Sequence, residues 1–156
     1  KGSTFWFTAE FNLNQSAAQP SVFQVTRPIE EKKKLYILLA EDNPINQRVA
    51  IYNLTKLGHQ VDLADNGQKA CDLVKINRYN IVLMDIQMPV MSGLEATVII
   101  REWEGKNPNQ GHLPIIAMTA DAVKGDMEVC LHEGMDGYIS KPFKMNDLEN
   151  TLKLAR

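Results

Sequence analysis

The chain has 156 residues, of which 44% are hydrophobic and 23% charged, and its formal net charge at pH 7 is −2. This composition fits one globular domain plus an extension, or two very small domains, and the near-neutral charge gives no reason to expect binding to nucleic acid or to a membrane surface. No stretch approaches the roughly 20 apolar residues that a membrane span needs. Because the chain does not begin with Met, we expect it to start inside a longer protein.

The first 34 residues differ in pattern from the rest of the chain. Apolar and polar residues partly alternate along residues 1–13, with several aromatic side chains, which predicts a strand. Residues 14–34 are polar, contain prolines and end in a charged run, which is typical of a linker. We therefore expect the main folded domain to begin at residue 35.

From residue 35 onward, a strand pattern followed by a helix pattern occurs five times. The predicted strands are residues 36–40, 60–64, 81–84, 115–118 and 137–139. Helix-length connections between short apolar strands predict a parallel sheet that is covered by helices on both faces.

Local signals mark the predicted helices in chain order. Asn43 and Pro44 begin the first helix, because Asn caps a helix and Pro is tolerated at the first helical position, and Gly58 ends it. Asn66 opens the second helix and Ser92 caps the third. The side chains predicted to face the core are Ile45, Val49, Leu54 and Leu57 in the first helix, Ala70, Leu73 and Val74 in the second, Ala96, Ile99, Ile100 and Trp103 in the third, Val123, Met127, Cys130 and Leu131 in the fourth, and Met145, Leu148 and Leu152 in the fifth.

The cysteines and histidines are interpreted as structural residues rather than metal ligands. Cys71 and Cys130 fall at apolar positions of helical patterns, so we expect buried thiols in a reducing compartment. His59, His112 and His132 are spread over a turn, a loop and a helix without clustered partners, so we expect them at the surface.

Polar residues stand where four of the predicted strands end. Glu41 and Asp42 follow the first strand, Asp85 the third, Thr119 the fourth, and Lys141 comes just after the fifth. The carboxyl ends of parallel strands meet at one edge of an open α/β sheet, so these side chains are expected to gather there. Three neighbouring carboxylates raise one another's pKa unless a cation is present, and oxygen ligands of this kind favour Mg²⁺.

This set of residue types suits phosphoryl chemistry. Mg²⁺ keeps several waters and binds one or two carboxylates together with a phosphate oxygen. Lys141 would supply a fixed positive charge and Thr119 a hydrogen bond to phosphoryl oxygens, and phosphoryl transfer needs mainly positioning and charge neutralisation. Asp85, central among these groups, is the candidate nucleophile that takes the phosphoryl group as an acyl phosphate.

Four short motifs follow one another along the chain: AEDN at 40–43, LMDIQMPVMSG at 83–93, MTA at 118–120 and KPF at 141–143. In this order and spacing they resemble the receiver domain of two-component signalling, and the resemblance spans residues 35–156. The resemblance implies a flavodoxin-like (βα)5 three-layer sandwich with parallel sheet order 2-1-3-4-5, preceded by an N-terminal extension. It also implies that Asp85 accepts a phosphoryl group from a phosphohistidine, and that Thr119 and Lys141 contact that group.

The same resemblance implies a metal site and a conformational switch. The implied ligands of Mg²⁺ are Glu41, Asp42, Asp85 and the backbone carbonyl of Gln87. Tyr138 is the implied aromatic switch, acting together with Thr119. The Lys141–Pro142 peptide bond is expected to be cis, as it is in this family.

Residues 1–8, KGSTFWFT, resemble the last glycine-rich box and closing strand of a histidine-kinase ATP-binding domain. This implies a fragment of a bacterial-type hybrid sensor histidine kinase, with a kinase remnant at 1–13, a linker at 14–34 and a receiver domain at 35–156. The implied partners are a phosphohistidine donor in a kinase domain and a histidine-phosphotransfer domain. The implied location is the cytoplasm, with a parent protein that could be anchored in the inner membrane. The N-terminal aromatic residues could also support self-association.

Other functions are open on the sequence alone. A degenerate receiver would act only as a binding module, although the acids, Thr119 and Lys141 are all in place. An aspartyl-phosphate hydrolase, which turns over small phosphate esters, needs a second acid two residues after the nucleophile, and Gln87 holds that position. A nucleotide- or flavin-binding module is disfavoured, because no phosphate-binding loop follows the first strand.

Overall fold

The computed structural model describes residues 33–120 and 124–155, with the backbone alone for 124–126. Five strands alternate with five α-helices in these ranges. The strands are Tyr36–Ala40 (β1), Gln60–Ala64 (β2), Ile81–Asp85 (β3), Ile115–Thr119 (β4) and Gly137–Ser140 (β5). The α-helices are Pro44–Lys56 (α1), Gly67–Ile76 (α2), Gly93–Lys106 (α3), Lys124–His132 (α4) and Met145–Thr151 (α5), with short 3-10 helices at Pro108–Gln110 and Leu152–Ala155. The last three strands each extend one residue beyond their predicted ends.

The strands form one parallel sheet in the order β2-β1-β3-β4-β5. This order confirms the predicted flavodoxin-like arrangement. Strand β2 is added on one side of β1 and β3 on the other, so the order of the strands across the sheet reverses at this point. A crevice forms at such a switch point, outside the carboxyl ends of the central strands.

The core consists of two layers of side chains, one on each face of the sheet. Along β1, Ile37 and Leu39 pack on the face covered by α1 and α5, whereas Leu38 and Ala40 pack on the face covered by α2, α3 and α4. All four side chains are 0% exposed. Alternation with a period of two is what an extended strand imposes, and burial on both faces explains why the strand is apolar throughout.

Helix α1 buries only part of the apolar side predicted for it. Ile45 is 71% exposed and Val49 is 50% exposed, so the prediction that both face the core is wrong. Leu54 is buried and Leu57 packs against the core as predicted, and the helix also buries Ala50. Apolar residues occupy two adjacent lines of this helix, and in its first turn the inward line carries polar residues that bond to the site described below. Hydrophobic periodicity alone therefore placed Ile45 and Val49, in the first half of the helix, on the wrong side.

Two further predictions, one of burial and one of exposure, are wrong. Leu131 was expected to face the core but is 52% exposed, because successive residues of a helix point about 100° apart and its neighbour Cys130 takes the inward position. His59 was expected at the surface but is only 9% exposed, and its Nδ1 accepts a hydrogen bond from the Leu35 backbone N–H at 3.2 Å. The predicted core residue Val123 lies outside the described residues.

His112 is exposed as predicted, but it has clustered partners. Its Nε2 lies 2.6 Å from Asp136 Oδ1, and its Nδ1 lies 3.6 Å from Glu104 Oε2. Arg101 bonds to the same two acids at 2.7 and 2.8 Å. This network joins the end of α3 to the loop before β4, which carries His112, and to the loop after α4, which carries Asp136. The interpretation of His112 as isolated is therefore wrong.

Other features of the chain follow from the described ranges. Cys71 and Cys130 are both buried, as predicted. Across residues 33–120 and 124–155, none of the helices combines the length and apolar character that crossing a membrane requires. The predicted kinase remnant at 1–13, and the linker at 14–34 except for its last two residues, lie outside the described residues.

Candidate functional site

A cleft of about 450 Å³ opens at the carboxyl edge of the sheet. Asp85 is the last residue of β3 and Thr119 the last residue of β4, while Glu41 and Asp42 directly follow β1. Lys141 directly follows β5 and reaches back over the edge. All five residues line the cleft, so the strand ends bring together the acids, the hydroxyl and the ammonium group that the sequence singled out.

Three carboxylates form the floor of this cleft. One oxygen from each of Glu41, Asp42 and Asp85 lies within 4.8 Å of the others. Glu41 is 1% exposed and Asp85 8% exposed, whereas Asp42 faces solvent. Burying two ionised groups so close together costs free energy unless a cation pairs with them.

Lys141 supplies a cation at this point. Its Nζ lies 2.5 Å from Glu41 Oε2 and 2.6 Å from Asp85 Oδ2, with the lysine side chain only 15% exposed. The backbone N–H of Lys141 donates to the Thr119 carbonyl oxygen at 2.7 Å, and the Lys141–Pro142 peptide bond is cis. The Lys141 backbone is thus anchored to the end of β4, and its ammonium group bridges two acids that stand at the ends of β1 and β3.

The environment of Asp85 acts on its pKa in opposite directions. Burial raises the pKa of this carboxyl above its ordinary value, the hydrogen bond and positive charge of Lys141 oppose the rise, and the Glu41 charge adds to it. The Gln87 backbone N–H donates to Asp85 Oδ1 at 3.3 Å. A carboxylate with a raised pKa is more basic than an ordinary one, which favours its use as a nucleophile.

Glu41 is held by Asn43 and by two residues, Asn46 and Gln47, that the sequence reasoning did not single out. Its Oε1 accepts hydrogen bonds from the Asn43 backbone N–H at 3.2 Å and from Asn46 Nδ2 at 3.1 Å. Gln47 Nε2 donates to the Glu41 backbone carbonyl at 2.7 Å. Their position in the sequence could have predicted this contact. Asn46 and Gln47 lie three and four residues after the Asn43 cap, one turn into α1, on the side that faces the acids.

Two predicted site residues lie in different surroundings. Gln87 lines the cleft beside Asp85. Tyr138 lies on β5 with 43% of its surface exposed and is not among the residues that line the cleft. Its implied role as a switch therefore stays a prediction.

The donor set of the cleft fits a small, hard divalent cation. Carboxylate oxygens are the ligands that Mg²⁺ prefers in proteins, and it needs only one or two of them because it retains water. Among the described residues, the cleft holds three carboxylates and the ammonium group of Lys141, which leaves excess negative charge there. Asp42 accepts no hydrogen bond from the part of the chain that the structure describes, and it is therefore available as a ligand.

The motif order, the sheet order and the acidic cleft agree with a comparison against known families. A family model described as "Response regulator receiver domain" matches residues 37–153, which includes every residue that lines the cleft. The chain belongs to this family. The residues that line the cleft of this receiver domain are spread over most of the matched region, from Glu41 near its start to Lys141 near its end.

Its relatives among curated proteins include long signalling kinases. The receiver domain is 47% identical to hybrid signal transduction histidine kinase I of Dictyostelium discoideum over 111 residues, which covers 68% of this chain and 6% of that protein. The chain is 33% identical to hybrid signal transduction histidine kinase K of the same organism over 161 residues, which covers 99% of this chain and 13% of that protein. It thus spans a small fraction of the length of either relative.

Solved structures give the same fold. The receiver domain of sensor histidine kinase PA1611 from Pseudomonas aeruginosa, which has a magnesium ion coordinated in its active site cleft, matches with a TM-score of 0.70 and 41% identity, covering 78% of this chain and 98% of that one. The co-crystal structure of the Saccharomyces cerevisiae histidine phosphotransfer signaling protein Ypd1 and the receiver domain of the response regulator Ssk1 matches with a TM-score of 0.71 and 32% identity, covering 77% of this chain and 87% of that one.

Gly93 allows α3 of the receiver domain to begin directly against Asp85. A Cβ on Gly93 would lie 2.0 Å from the Asp85 carbonyl oxygen and 2.8 Å from Met84 Cγ. We expect Gly93→Ala to lower the free energy of unfolding by about 2–4 kcal/mol, because backbone must move to admit the methyl group. Urea unfolding measures this loss. Gly105→Ala on the same helix is the control, since its Cβ would meet nothing within 4 Å, and a loss as large in the control would contradict the steric explanation.

Proposed function

We propose that this receiver domain accepts a phosphoryl group from a phosphohistidine onto Asp85, in a cleft that also binds Mg²⁺. The observation that carries the proposal is the contact between Asp85 Oδ2 and Lys141 Nζ at 2.6 Å, beside two further acids. A buried carboxylate that lines a cleft and is paired with an ammonium group is placed to attack phosphorus and to have the new negative charge neutralised.

The transfer conserves atoms and charge with the residues at hand. An oxygen of the Asp85 carboxylate attacks phosphorus, the P–N bond of the phosphohistidine breaks, and the imidazole nitrogen keeps the electron pair. Lys141 exchanges its hydrogen bond to Asp85 for one to a phosphoryl oxygen, and the Thr119 hydroxyl at the end of β4 can donate to another. The product is an acyl phosphate on Asp85, which a histidine-phosphotransfer partner or water then removes.

The proposed metal site uses Asp42 and Asp85 directly, with Glu41 and the backbone carbonyl of Gln87 completing it. Bound Mg²⁺ supplies neutralisation of charge on the phosphoryl oxygens. The Pseudomonas aeruginosa relative with magnesium in its cleft supports this assignment, as does the oxygen donor set described above.

The test of the proposal is incubation with acetyl phosphate and Mg²⁺ followed by mass spectrometry. We expect intact protein to gain one phosphoryl group, and peptide mapping after borohydride trapping to locate it at Asp85. A chain that stays unmodified would favour the degenerate receiver, whereas multiple turnover of a small phosphate ester would favour the hydrolase.

Asp42→Asn is predicted to lower the affinity for Mg²⁺ by at least about tenfold, because it removes an exposed carboxylate ligand without changing its shape. Isothermal titration calorimetry measures the affinity. The melting temperature gives a second readout, since a ligand at about 100 times its Kd stabilises by about 2.7 kcal/mol. The control is Asp72→Asn, an exposed acid on α2 that bonds only to Gln68 within the described residues. Equal affinities of the two variants would remove Asp42 from the site.

We propose that a protein donor docks on α1. A phosphohistidine must enter the cleft to reach Asp85, and Asn43 and Asn46 at the start of α1 form part of its lining. The same helix exposes an apolar line at Ile45, Val49 and Tyr52, which are 71%, 50% and 63% exposed. Apolar area next to a reaction cleft is suited to burial against a partner. The yeast receiver domain found with a histidine phosphotransfer protein supports this class of partner.

Val49→Asp is predicted to slow phosphotransfer from a phosphorylated histidine-phosphotransfer domain by about tenfold, because a charge at the centre of an apolar contact weakens binding. The rate with acetyl phosphate should stay unchanged, since a small donor needs no docking surface. The control is Ile76→Asp, which is 78% exposed at the end of α2. The donor is chosen as the fastest of a panel of purified phosphohistidine proteins. An equal loss with both kinds of donor would mean that the substitution damages the cleft itself.

We further propose that phosphorylation is read out through Thr119 and Tyr138. Thr119 would move toward the phosphoryl group and Tyr138 would turn inward from its exposed position on β5, which changes the face formed by α4, β5 and α5. Beryllofluoride with Mg²⁺ mimics the phosphoryl group, and a fluorine-labelled tyrosine at 138 reports the change in exposure by NMR. A resonance that does not shift would exclude Tyr138 from the switch.

The wider context is part of the proposal. We infer a parent hybrid histidine kinase in the cytoplasm, in which residues 1–13 close the ATP-binding domain, residues 14–34 link it to the receiver domain and residues 35–156 form that domain. The match to the Dictyostelium kinase K over 99% of this chain, beyond the receiver region, supports this division. We expect the chain by itself to bind no ATP, and a calorimetric titration checks this.

A further inference from the structure

Both carboxylate oxygens of Glu41 are committed to protein donors. Oε2 accepts from Lys141 Nζ at 2.5 Å, and Oε1 accepts from Asn46 Nδ2 at 3.1 Å and from the Asn43 backbone N–H at 3.2 Å. The side chain is 1% exposed. By contrast, Asp42 is exposed and accepts no hydrogen bond from the described residues. An incoming cation would therefore meet a Glu41 carboxylate that is already hydrogen-bonded and an Asp42 carboxylate that faces solvent.

Asn46 is the residue of α1 whose side chain donates a hydrogen bond to the Glu41 carboxylate. Of the two donors to Oε1, the Asn43 N–H is fixed by the backbone, and the Asn46 amide is the one that substitution can remove. Gln47 acts on the same residue but at its backbone carbonyl, 2.7 Å away. The first turn of α1 thus holds the Glu41 main chain through one amide and its carboxylate through another.

We propose that Asn46 is a positioning residue for the metal site, which holds the Glu41 carboxylate so that it stabilises hydrated Mg²⁺ without displacing its waters. This inference rests on the proposed function and adds to it the group that divides the roles of Glu41 and Asp42. Mg²⁺ loses water reluctantly and binds one or two carboxylates directly, whereas Ca²⁺ accepts six to eight oxygen ligands in flexible geometry. A Glu41 carboxylate that is restrained by Asn46 suits the first ion better than the second.

Asn46→Ala should therefore change both affinity and selectivity. We expect the affinity for Mg²⁺ to fall about tenfold, as it does when residues that orient metal ligands are removed. The affinity for Ca²⁺ should fall by less than about threefold, because a Glu41 carboxylate that has lost the Asn46 donor is less restrained and can turn toward an ion that accepts more ligands. Calorimetric titration of the unphosphorylated protein with each metal ion gives both values. Asn53→Ala on the same helix, whose side chain makes no hydrogen bond among the described residues, is the control.

A double-mutant cycle separates positioning from a general effect on the fold. If Asn46 acts through the Glu41 carboxylate, Asn46→Ala should have less than about a twofold effect on Mg²⁺ affinity in a Glu41→Gln background. A role in helix stability alone would instead lower the melting temperature equally in both backgrounds and leave the ratio of Mg²⁺ to Ca²⁺ affinity unchanged. Equal losses for the two ions, an unchanged Mg²⁺ affinity, or a full tenfold effect in the Glu41→Gln background would each overturn the inference.

Kinetics provide an independent readout. Asn46 bonds to Glu41 and not to Asp85, so the rate of phosphorylation by acetyl phosphate at saturating Mg²⁺ should stay within about twofold of wild type, while the half-saturating Mg²⁺ concentration rises about tenfold. A lower maximal rate with unchanged half-saturation would overturn the inference. If wild type itself takes up no phosphoryl group at Asp85, the proposed function fails, and the calorimetric comparison still decides the role of Asn46.

Discussion

Asp85→Asn is expected to take up no measurable phosphoryl group from acetyl phosphate, a loss of at least about 100-fold relative to wild type. The amide has nearly the shape of the carboxylate but lacks its nucleophilic oxygen anion. Asp85 Oδ2 lies 2.6 Å from Lys141 Nζ in the cleft, and burial raises the pKa of this carboxyl, which makes its oxygen a stronger nucleophile. Mass spectrometry under conditions that modify wild type completely gives the result.

The expected loss must come from chemistry rather than from unfolding. Asp85→Asn removes a charge that is 8% exposed, so the melting temperature should not fall and can rise by a few degrees, corresponding to about 1 kcal/mol. The matched control is Asp65→Asn, because Asp65 directly follows β2 at the same edge of the sheet and is exposed. It should be phosphorylated at the wild-type level. Uptake by Asp85→Asn equal to that of the control would place the phosphoacceptor elsewhere.

The fold and the gathering of the polar strand ends could be predicted because they depend on short-range patterns. Short apolar runs that stop in a polar side chain define β1, β3 and β4 and the edge at which these strands end. Parallel pairing then brings Asp85 and Thr119 to the same edge, in neighbouring strands, whatever the details of the loops. Pattern and connection length thus predict a parallel sheet covered on both faces, whereas its strand order was implied by the resemblance to receiver domains.

The register of α1 could not be predicted in the same way. Ile45 and Val49 form one apolar line, and Ala50 and Leu54 form the next, so the helical period allows either to face the sheet. The choice depends on where β1 ends, since Asn46 must reach the Glu41 carboxylate. His59 illustrates the same limit: its buried ring nitrogen finds its donor at Leu35 only because the strands lie side by side, with Gln60 N–H bonded to the Leu35 carbonyl.

The ion pairs of Lys141 join residues that are far apart in the sequence, and they affect the free energy of unfolding. From the sequence, a lysine beyond a strand end adds little packing, which predicts that Lys141→Ala leaves folding largely intact. The structure places its ammonium group between Glu41 and Asp85, two carboxylates with little exposure. Removing one partner from a buried ion pair leaves uncompensated charge, and the cost is large when water cannot reach it.

Lys141→Met is therefore predicted to lower the free energy of unfolding by about 1–3 kcal/mol in the absence of divalent ions, less than for a fully enclosed pair because the cleft admits water. Methionine keeps the length of the side chain, so the loss reports the charge. Mg²⁺ should restore most of the difference, since it neutralises the same carboxylates by a different route. Urea unfolding with and without Mg²⁺ measures both quantities.

The control for this prediction is Lys153→Met, an exposed lysine whose ammonium group bonds only to Asn150 within the described residues, and it should change stability by less than about 0.5 kcal/mol. Recovery by Mg²⁺ is the decisive comparison, because lost packing would not return when a cation binds. If Lys141→Met were destabilised to the same extent with and without Mg²⁺, the lysine would be acting through its hydrocarbon chain. The account of the cleft as three acids balanced by one ammonium group and a metal ion would then fail.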